Sequence, residues 1–504
     1  MALRRSWFLP FILVAGIIVL CVPLFSIARN DNELPVQKPV LTDASATSPA
    51  TEEDADQKSI SLNRLSSISA LESAGSAVKD RLAGFLCPNY TVYDETRIAN
   101  TLSGSGDLDD ELDGDRSSSY SNYKPPHCDD PYLRPGYFYR PEDVIKSAYV
   151  PYYDDLFDMP VPEWSDYPTD FNLLFDEKPI DQDLIAQAPT NWVRYIKSYV
   201  RARNMEEGEQ RSSELKKWGQ YVSWLRGKRI LMAADSIDRF MALHLCQIVG
   251  QQSSFKISTK GRHTTAWCSI PELNMTIYHW HIPSMFNNNP KWWGLDYMDH
   301  VPFEERFETI FKPTLDSVIG ADGRAPDLII FQSLLWDIRG WAKSEQYKNH
   351  VRGGTYVSRQ LYWSELVFYK NRLNKFIRTL KDIFGEDVPM LYRSALSHRS
   401  EGINDVPMYE LDRMARLVAH HQSVEVMEWG LTVTGYTDIF LDDMHIGLNP
   451  HSYLYNNMML YYLFRASGGT EVRGKITNWP DSRQLSKGDA WDECHRFNSE
   501  LRNR

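Results

Sequence analysis

From about residue 220 onward, short apolar segments alternate with amphipathic segments of helical length, and this alternation constrains the fold more than any other feature. The predicted strands are Arg229–Ala234, Met275–Ile282, Pro326–Phe331, Pro389–Ser394 and Val424–Trp429. The predicted helices are Ile237–Val249, Ser358–Phe384, Leu411–His420 and Ser452–Arg465. Strands that alternate with helices build a mostly parallel sheet covered by helices, so the pattern predicts an α/β domain.

The N-terminus carries an uncharged apolar run from Trp7 to Ala28, preceded by Arg4 and Arg5. About 20 apolar residues are enough to cross a hydrocarbon core of roughly 30 Å. Because positive charges that flank a span stay in the cytosol, we expect residues 1–29 to form a cytosolic tip and a single-pass type II transmembrane helix. The alternative is a cleaved signal peptide, but the run is long for one and shows no clear cleavage site.

The segment between the apolar run and the α/β domain has two parts of different composition. Residues 30–80 are rich in Ser, Ala, Thr, Asp and Glu and bury too little apolar surface to order themselves, so we expect a disordered stalk. Residues 81–219 are rich in aromatic residues but irregular in pattern, and we expect them to wrap around the core. Residues 466–504 are a C-terminal extension. An anchor, a stalk and a large lumenal domain are the usual organisation of a Golgi membrane enzyme.

Cysteines and sequons also suit the secretory pathway. Five cysteines lie beyond the apolar run, which predicts two disulfides and one free thiol, with the pairing left open. The triplets that begin at Asn89 and Asn274 are N-glycosylation sequons. The formal net charge of −12 disfavours a general nucleic-acid role, because phosphate binding needs a basic surface.

Ser236 lies where the predicted strand Arg229–Ala234 ends and the next helix begins. That turn falls at the carboxyl edge of the sheet, where active sites collect in open α/β folds. The free N–H groups at the start of the helix are suited to stabilise an oxyanion. The simpler alternative is that Ser236 only caps the helix, as serines often do.

A second motif near the C-terminus supplies the partners that a serine nucleophile needs. Asp442 precedes His445 by three residues, so the carboxylate can orient the imidazole and the imidazole can take the Ser236 proton. The alternative is a solvated loop with an uninvolved histidine. Between the two motifs, the strand that ends at Phe331 delivers Gln332 and Ser333 to the same edge, where an amide or a backbone N–H is placed to complete an oxyanion hole.

Taken together, three motifs resemble the SGNH superfamily: Ala234-Asp-Ser-Ile-Asp-Arg239, Asp327-Leu-Ile-Ile-Phe-Gln-Ser-Leu-Leu-Trp-Asp337 and Asp442-Asp-Met-His445. The resemblance is closest to the PC-esterase branch, which includes plant trichome-birefringence-like and fungal capsule polysaccharide O-acetyltransferases. It covers residues 220–465 and implies a three-layer α/β/α domain with Ser236 as nucleophile, His445 as base and Asp442 as orienting carboxylate. This chain departs from the family pattern in having Ala234 for a glycine and Gln332 for an asparagine.

Several further residues are expected near the site. Candidate substrate contacts are Arg239, Trp336, Arg393 and His398. The alternatives are a surface salt bridge for Arg239 and a core position for Trp336. His279 and His281 face one side of a predicted strand, but the sequence offers no third ligand, so we expect no metal site.

The resemblance and the expected topology favour an O-acetyltransferase that acts on a polysaccharide or glycan through an acyl-serine. Such an enzyme needs no cofactor but needs an acyl donor, and a chain with one span is expected to rely on a separate multi-span transporter for it. The first alternative is an esterase or deacetylase of carbohydrates or lipids that uses the same triad. The second is a non-catalytic lumenal binding protein on an SGNH fold.

Overall fold

A computed structural model describes residues 126–153, 182–261, 263–286, 302–349, 359–396, 405–436, 438–442, 444–480 and 491–495. All of the described residues belong to one compact unit, Ala83–Arg504. The predicted anchor and stalk therefore lie outside the described residues. Within the described ranges, no helix combines the length and the apolar character that a membrane crossing requires.

A seven-stranded mixed sheet forms the centre of the described unit. Its strands are β3 (Arg229–Ala234), β4 (Phe255–Ile257), β5 (Thr265–Ile270), β6 (Met275–His281), β7 (Leu328–Phe331), β8 (Met390–Arg393) and β9 (Glu425–Met427). Their order across the sheet is β4-β5-β6-β3-β7-β8-β9. The five strands from β6 to β9 are parallel, and β4 and β5 add an antiparallel edge. Two hairpins lie outside this sheet, β1 (Gly136–Tyr139) with β2 (Ala148–Pro151) and β10 (Thr470–Val472) with β11 (Lys475–Asn478).

Helices cover both faces of the sheet. The longer ones are α1 (Trp192–Arg203), α2 (Glu209–Val222), α3 (Ser236–Ile248), α4 (Leu335–Asn349), α5 (Trp363–Phe384), α6 (Val406–His421) and α7 (Pro450–Ala466). Shorter helical segments are Gln182–Ile185, Phe303–Arg306, Leu315–Ile319 and Trp429–Thr432.

Alternation along the central strand places two apolar cores on opposite faces. Ile230 and Met232 belong to one buried cluster, together with side chains of α1, α3 and α7. Leu231 and Ala233 belong to the other, together with side chains of α5 and α6. Successive side chains of a strand point to opposite faces, so the sheet lies between two layers of helices. The described unit is thus an α/β domain with a mixed sheet.

Several helix and strand predictions need correction. Residues 81–219 were expected to be irregular, yet they contain α1 and α2, and Trp192 of α1 packs against Phe464 in the same core as the sheet. The long helix predicted from Ser358 begins at Trp363. The antiparallel strand β5 was not predicted, because only a short turn and no helix of the usual length separates it from β6.

The described residues contain two disulfides, the number expected from the cysteine count. Cys128 bonds to Cys494 across a sequence separation of 366, and Cys246 bonds to Cys268 across 22. Each therefore ties one chain segment to another, and the first joins the two ends of the described unit. Cys87 lies outside the described residues.

Candidate active site

The turn between β3 and α3 is built so that Ser236 does not serve as the helix cap. Asp235 is the N-cap, and its side chain accepts a hydrogen bond from the N–H of Ile237 at 2.9 Å. Ser236 is the first helical residue, so its hydroxyl is left for another partner. The non-glycine residues with positive φ within the described part of the chain are Asn274, Ser423 and Arg473. The turn therefore accepts Ala234 without the left-handed backbone that would require glycine.

The Ser236 hydroxyl lies against the imidazole of His445. Ser236 Oγ is 2.8 Å from His445 Nε2, although 209 residues separate the two in the sequence. His445 Nδ1 is 2.8 Å from Asp442 Oδ2, so one hydroxyl, one imidazole and one carboxylate form a connected hydrogen-bonded chain. Because a carboxylate only accepts hydrogen bonds, it places the ring proton on Nδ1 and leaves Nε2 to accept from Ser236.

Local backbone structure holds the Asp442 carboxylate in place. Oδ1 accepts hydrogen bonds from the N–H groups of Met444 at 2.8 Å and of His445 at 2.7 Å. A bridge between Phe440 and Ile446 closes the loop that carries these residues. Partial burial alone would raise the pKa of Asp442, but the hydrogen bonds from His445 and the backbone hold that pKa below its ordinary value. The carboxylate is therefore ionised when it orients the imidazole.

The ring of Phe240 packs against the imidazole of His445. Its ring centroid lies 4.7 Å from that of His445, and Phe240 is four residues after Ser236 on α3. Residues at this spacing share one face of a helix, so one element carries both the hydroxyl and the ring that restrains its partner. Phe240 was not predicted as a site residue. The one signal in the sequence that could have identified it is its position four residues after Ser236 on the predicted helix.

Two groups lie at the ends of the neighbouring strands β3 and β7, at the edge of the sheet where the oxyanion is expected. As the first residue of α3, Ser236 has a backbone N–H with no acceptor inside the helix. Gln332 follows Phe331, which pairs with Ala233, so its amide leaves the sheet at the same edge. Gln332 is buried, and its Oε1 has no hydrogen-bond partner among the residues that the structure describes.

Ser333 and Asp337 brace this edge of the sheet. The Ser333 hydroxyl donates to Asp337 Oδ2 at 2.5 Å, so it is not directed at an oxyanion. Asp337 Oδ1 accepts the backbone N–H of Met285 at 2.8 Å, which joins the loop after β6 to the first turn of α4. Complete burial raises the pKa of Asp337 to about 7 despite these bonds. Asp337 thus connects two segments of the chain, a role that its position at the end of a sequence motif did not reveal.

Arg393 was predicted to contact substrate, but its side chain is buried against other residues of the protein. Its side chain is fully buried, and its guanidinium donates to both oxygens of Asp238 at 3.0–3.1 Å. The Tyr455 hydroxyl donates to the same carboxylate at 2.6 Å. Arg393 Nη2 also lies 3.6 Å from Asp235, whose pKa is raised by burial. This network fastens the first turn of α3 to the end of β8 behind Ser236.

The other predicted site residues have varied positions. Arg239 is buried rather than exposed at the surface. Trp336 is 9% exposed, and its ring lies in T-shaped arrangements with the rings of His263 and His281, at centroid distances of 6.2 and 6.3 Å. Asn274 is exposed in the turn between β5 and β6. Asn89 and His398 lie outside the described residues.

His279 and His281 are buried at the site, and neither binds the other. His279 Nε2 lies 2.8 Å from the carbonyl oxygen of Asp235, and His281 Nε2 lies 3.3 Å from His263. Burial, and then Arg239, lowers the pKa of His279 to about 3. Among the described residues, three ligand atoms suited to a metal converge only at His127, Cys128 and Cys494, where the two sulfurs are bonded to each other.

Comparisons with known proteins give only a distant likeness. No protein-family model matches the chain, and no curated protein matches it. Among solved structures, the chain is similar to an acetylxylan esterase from Geobacillus stearothermophilus at 12% identity and a TM-score of 0.28, over 48% of this chain and 96% of that one. It is also similar to a GDSL-like protein from Parabacteroides merdae (16% identity, TM-score 0.27, 47% and 96% covered). A third is an alpha/beta hydrolase enzyme from the Lake Arreo metagenome (12%, 0.28, 48% and 97%). A likeness at this level defines neither a family nor an activity.

Proposed function

We propose that the protein is a serine-dependent acyl-ester enzyme that transfers an acetyl group to a carbohydrate hydroxyl. One observation carries the proposal: Ser236 Oγ lies 2.8 Å from His445 Nε2, and His445 Nδ1 lies 2.8 Å from Asp442. A general base within hydrogen-bond distance of a hydroxyl, itself oriented by a carboxylate, is the arrangement that activates serine as a nucleophile.

The proposed reaction has two steps, acylation of Ser236 and transfer of the acyl group to the acceptor. The Ser236 oxygen attacks the carbonyl carbon of an acyl donor while its proton passes to His445 Nε2, and the tetrahedral intermediate then collapses. The bond to the donor oxygen breaks, and the proton on His445 passes to that leaving group. In the second step His445 deprotonates the acceptor hydroxyl, which attacks the carbonyl carbon of the acyl-serine. The bond from that carbon to Ser236 Oγ then breaks, and the proton on His445 Nε2 returns to Oγ. Ionised Asp442 stabilises the imidazolium in both steps.

The oxyanion of each intermediate is stabilised by the Ser236 N–H and by the Gln332 amide. The first is a donor at the start of α3, and the second is a buried amide at the neighbouring strand end. Donors that are fixed before the reaction need no reorganisation as charge develops, and one such donor is worth roughly 10²–10³-fold in kcat.

Hydrolysis is the second candidate, because the site is open beside its base. The Asp442 side chain is 57% exposed and that of His445 is 16% exposed, so water has access to the acyl-serine. An esterase of carbohydrates or lipids would use the same three residues. The expected lumenal location favours transfer, and we propose that a separate multi-span transporter supplies the acetyl donor in the Golgi. The two disulfides support an oxidising compartment.

One assay separates the two fates. The purified protein is incubated with an acetyl-ester donor, with and without a deacetylated oligosaccharide, and both free acetate and acetylated sugar are measured. Transfer predicts acetylated sugar that rises with acceptor concentration, whereas an esterase releases acetate regardless of the acceptor. S236A is the control and should abolish both products. Equal turnover by S236A and the unsubstituted protein would refute the proposal.

A further inference from the structure

A buried histidine contacts the peptide group that would stabilise the oxyanion. His279 lies in β6, which is paired in parallel with β3, and the side chain is 1% exposed. Its Nε2 lies 2.8 Å from the carbonyl oxygen of Asp235. A carbonyl oxygen only accepts hydrogen bonds, so the Nε2 nitrogen carries the proton and donates it.

The Asp235 carbonyl and the Ser236 N–H belong to one planar peptide group. In a trans peptide the C=O and N–H bonds point in opposite directions. A donor fixed on the carbonyl therefore directs the N–H away from β6. Hydrogen bonds along such a chain also strengthen one another, by about 10–30% per bond. A hydrogen bond to the carbonyl thus both orients the N–H and makes it a better donor.

We propose that His279 is a positioning residue that orients and polarises the Asp235–Ser236 peptide as the main donor of the oxyanion hole. This inference rests on the proposed function, because it assigns a task to His279 only if an oxyanion forms at Ser236. The surrounding bonds are consistent with it. The preceding carbonyl, of Ala234, accepts the N–H of Ile282 at 2.8 Å, and the Asp235 side chain holds Ile237.

The chemistry of His279 allows its Nε2 to donate the same hydrogen bond at every working pH. Burial and the neighbouring Arg239 lower the pKa of His279 to about 3, so the ring is neutral at every pH at which the enzyme would work. The Nδ1 atom is buried and has no hydrogen-bond partner in the described part of the chain. The backbone of Ala234 is a second acceptor near the ring, and like that of Asp235 it acts to raise the His279 pKa against the stronger effect of burial. The donor on Nε2 therefore does not switch with pH.

The test compares substitutions that place a donor differently. In His279→Gln the amide nitrogen takes the position of Nε2, whereas in His279→Asn it takes the position of Nδ1 and misses the carbonyl. His279→Leu removes the donor. His451→Gln is the matched control, because His451 is also buried and neutral, with neither ring nitrogen bonded to a described partner.

The measured quantities are kcat and KM for p-nitrophenyl acetate and the Ki of a phenylboronic acid, which forms a tetrahedral adduct on serine. We expect H279L and H279N to lower kcat about 10- to 100-fold. This decrease is no larger than the decrease in kcat that follows removal of one oxyanion-hole donor. KM should change little, and Ki should rise in parallel with the loss in kcat/KM. H279Q should stay within about threefold of the unsubstituted protein, as should H451Q.

Each outcome decides a separate point. The role of His279 would be overturned if H279L and H451Q had equal kcat, or if the lower kcat/KM of H279L came from a higher KM. The proposed function would stand in both cases. An H279Q variant as impaired as H279N would do the same. If H279L does not fold, the comparison of H279Q with H279N still decides. An inactive unsubstituted protein that also fails to bind the boronic acid would overturn both the role and the proposed function.

Discussion

Removal of the Arg393 charge is the perturbation that most directly probes the buried network behind Ser236. In R393M the methionine fills most of the arginine volume but leaves Asp238 without its main partner. Asp238 is 0% exposed, so its carboxylate must then stay desolvated with the Tyr455 hydroxyl or take up a proton. Both responses cost stability.

The structure sets the size of the effect. Three N–O contacts of 3.0–3.1 Å join Arg393 to Asp238, and charge-assisted bonds of this kind are worth about 1.5–3 kcal/mol each. They are not additive, and the pair also cost desolvation energy when it formed. Loss of one partner of a buried pair typically costs about 3–5 kcal/mol, which is the loss we expect for R393M.

Urea denaturation followed by tryptophan fluorescence measures this loss, and two comparisons make it specific. E308Q breaks an exposed pair with Lys312, whose side chains are 69% and 67% exposed, and should change stability by less than about 0.5 kcal/mol. R393M/D238N removes both buried charges and should cost clearly less than the sum of the single variants. A cost of R393M equal to that of E308Q, or strict additivity in the double variant, would refute the reasoning.

Three further predictions concern pH, the disulfide and the orienting carboxylate. Asp337 has a pKa of about 7 in the folded protein against roughly 3.9 unfolded, so its contribution to stability is full below about pH 4 and is lost as the pH rises through 7. The unsubstituted protein should lose about 4 kcal/mol more between pH 4 and pH 8 than D337N, and parallel stability curves would contradict this. C128S/C494S opens the long covalent loop and should lower the free energy of unfolding by about 3–5 kcal/mol; an unchanged urea midpoint would argue against it. D442N should lower kcat about 10²- to 10⁴-fold with KM little changed, as measured by initial rates, and full activity would exclude an orienting role.

The sequence predicted the parts of the fold that depend on local pattern. The strand Arg229–Ala234 has the predicted bounds, because a run of apolar residues that stops at Asp235 has few other structures available. The helix that follows differs by one residue at each end. The predicted order of strands and helices also placed Ser236 and Gln332 at one edge, since parallel strands end on the same side.

Contacts between residues that are far apart in the sequence could not be predicted from it. Arg393 was expected at the substrate because it ends a strand on the active side, but a sequence does not show that Asp238 lies opposite and buries it. The donor role of His279 depends on the register of β6 against β3, which aligns it with Met232. Asp337 was visible only as a motif position, because its partners are a loop after another strand and the hydroxyl of Ser333.

Covalent labelling tests the central claim most directly. The claim is that His445 activates the Ser236 hydroxyl across the 2.8 Å contact between them. A fluorophosphonate probe should label the purified protein at Ser236, and labelling should be absent from S236A and strongly reduced in H445A, with H451Q unaffected. An unsubstituted protein that takes up no probe, or an H445A variant labelled as fast as the unsubstituted protein, would contradict the account.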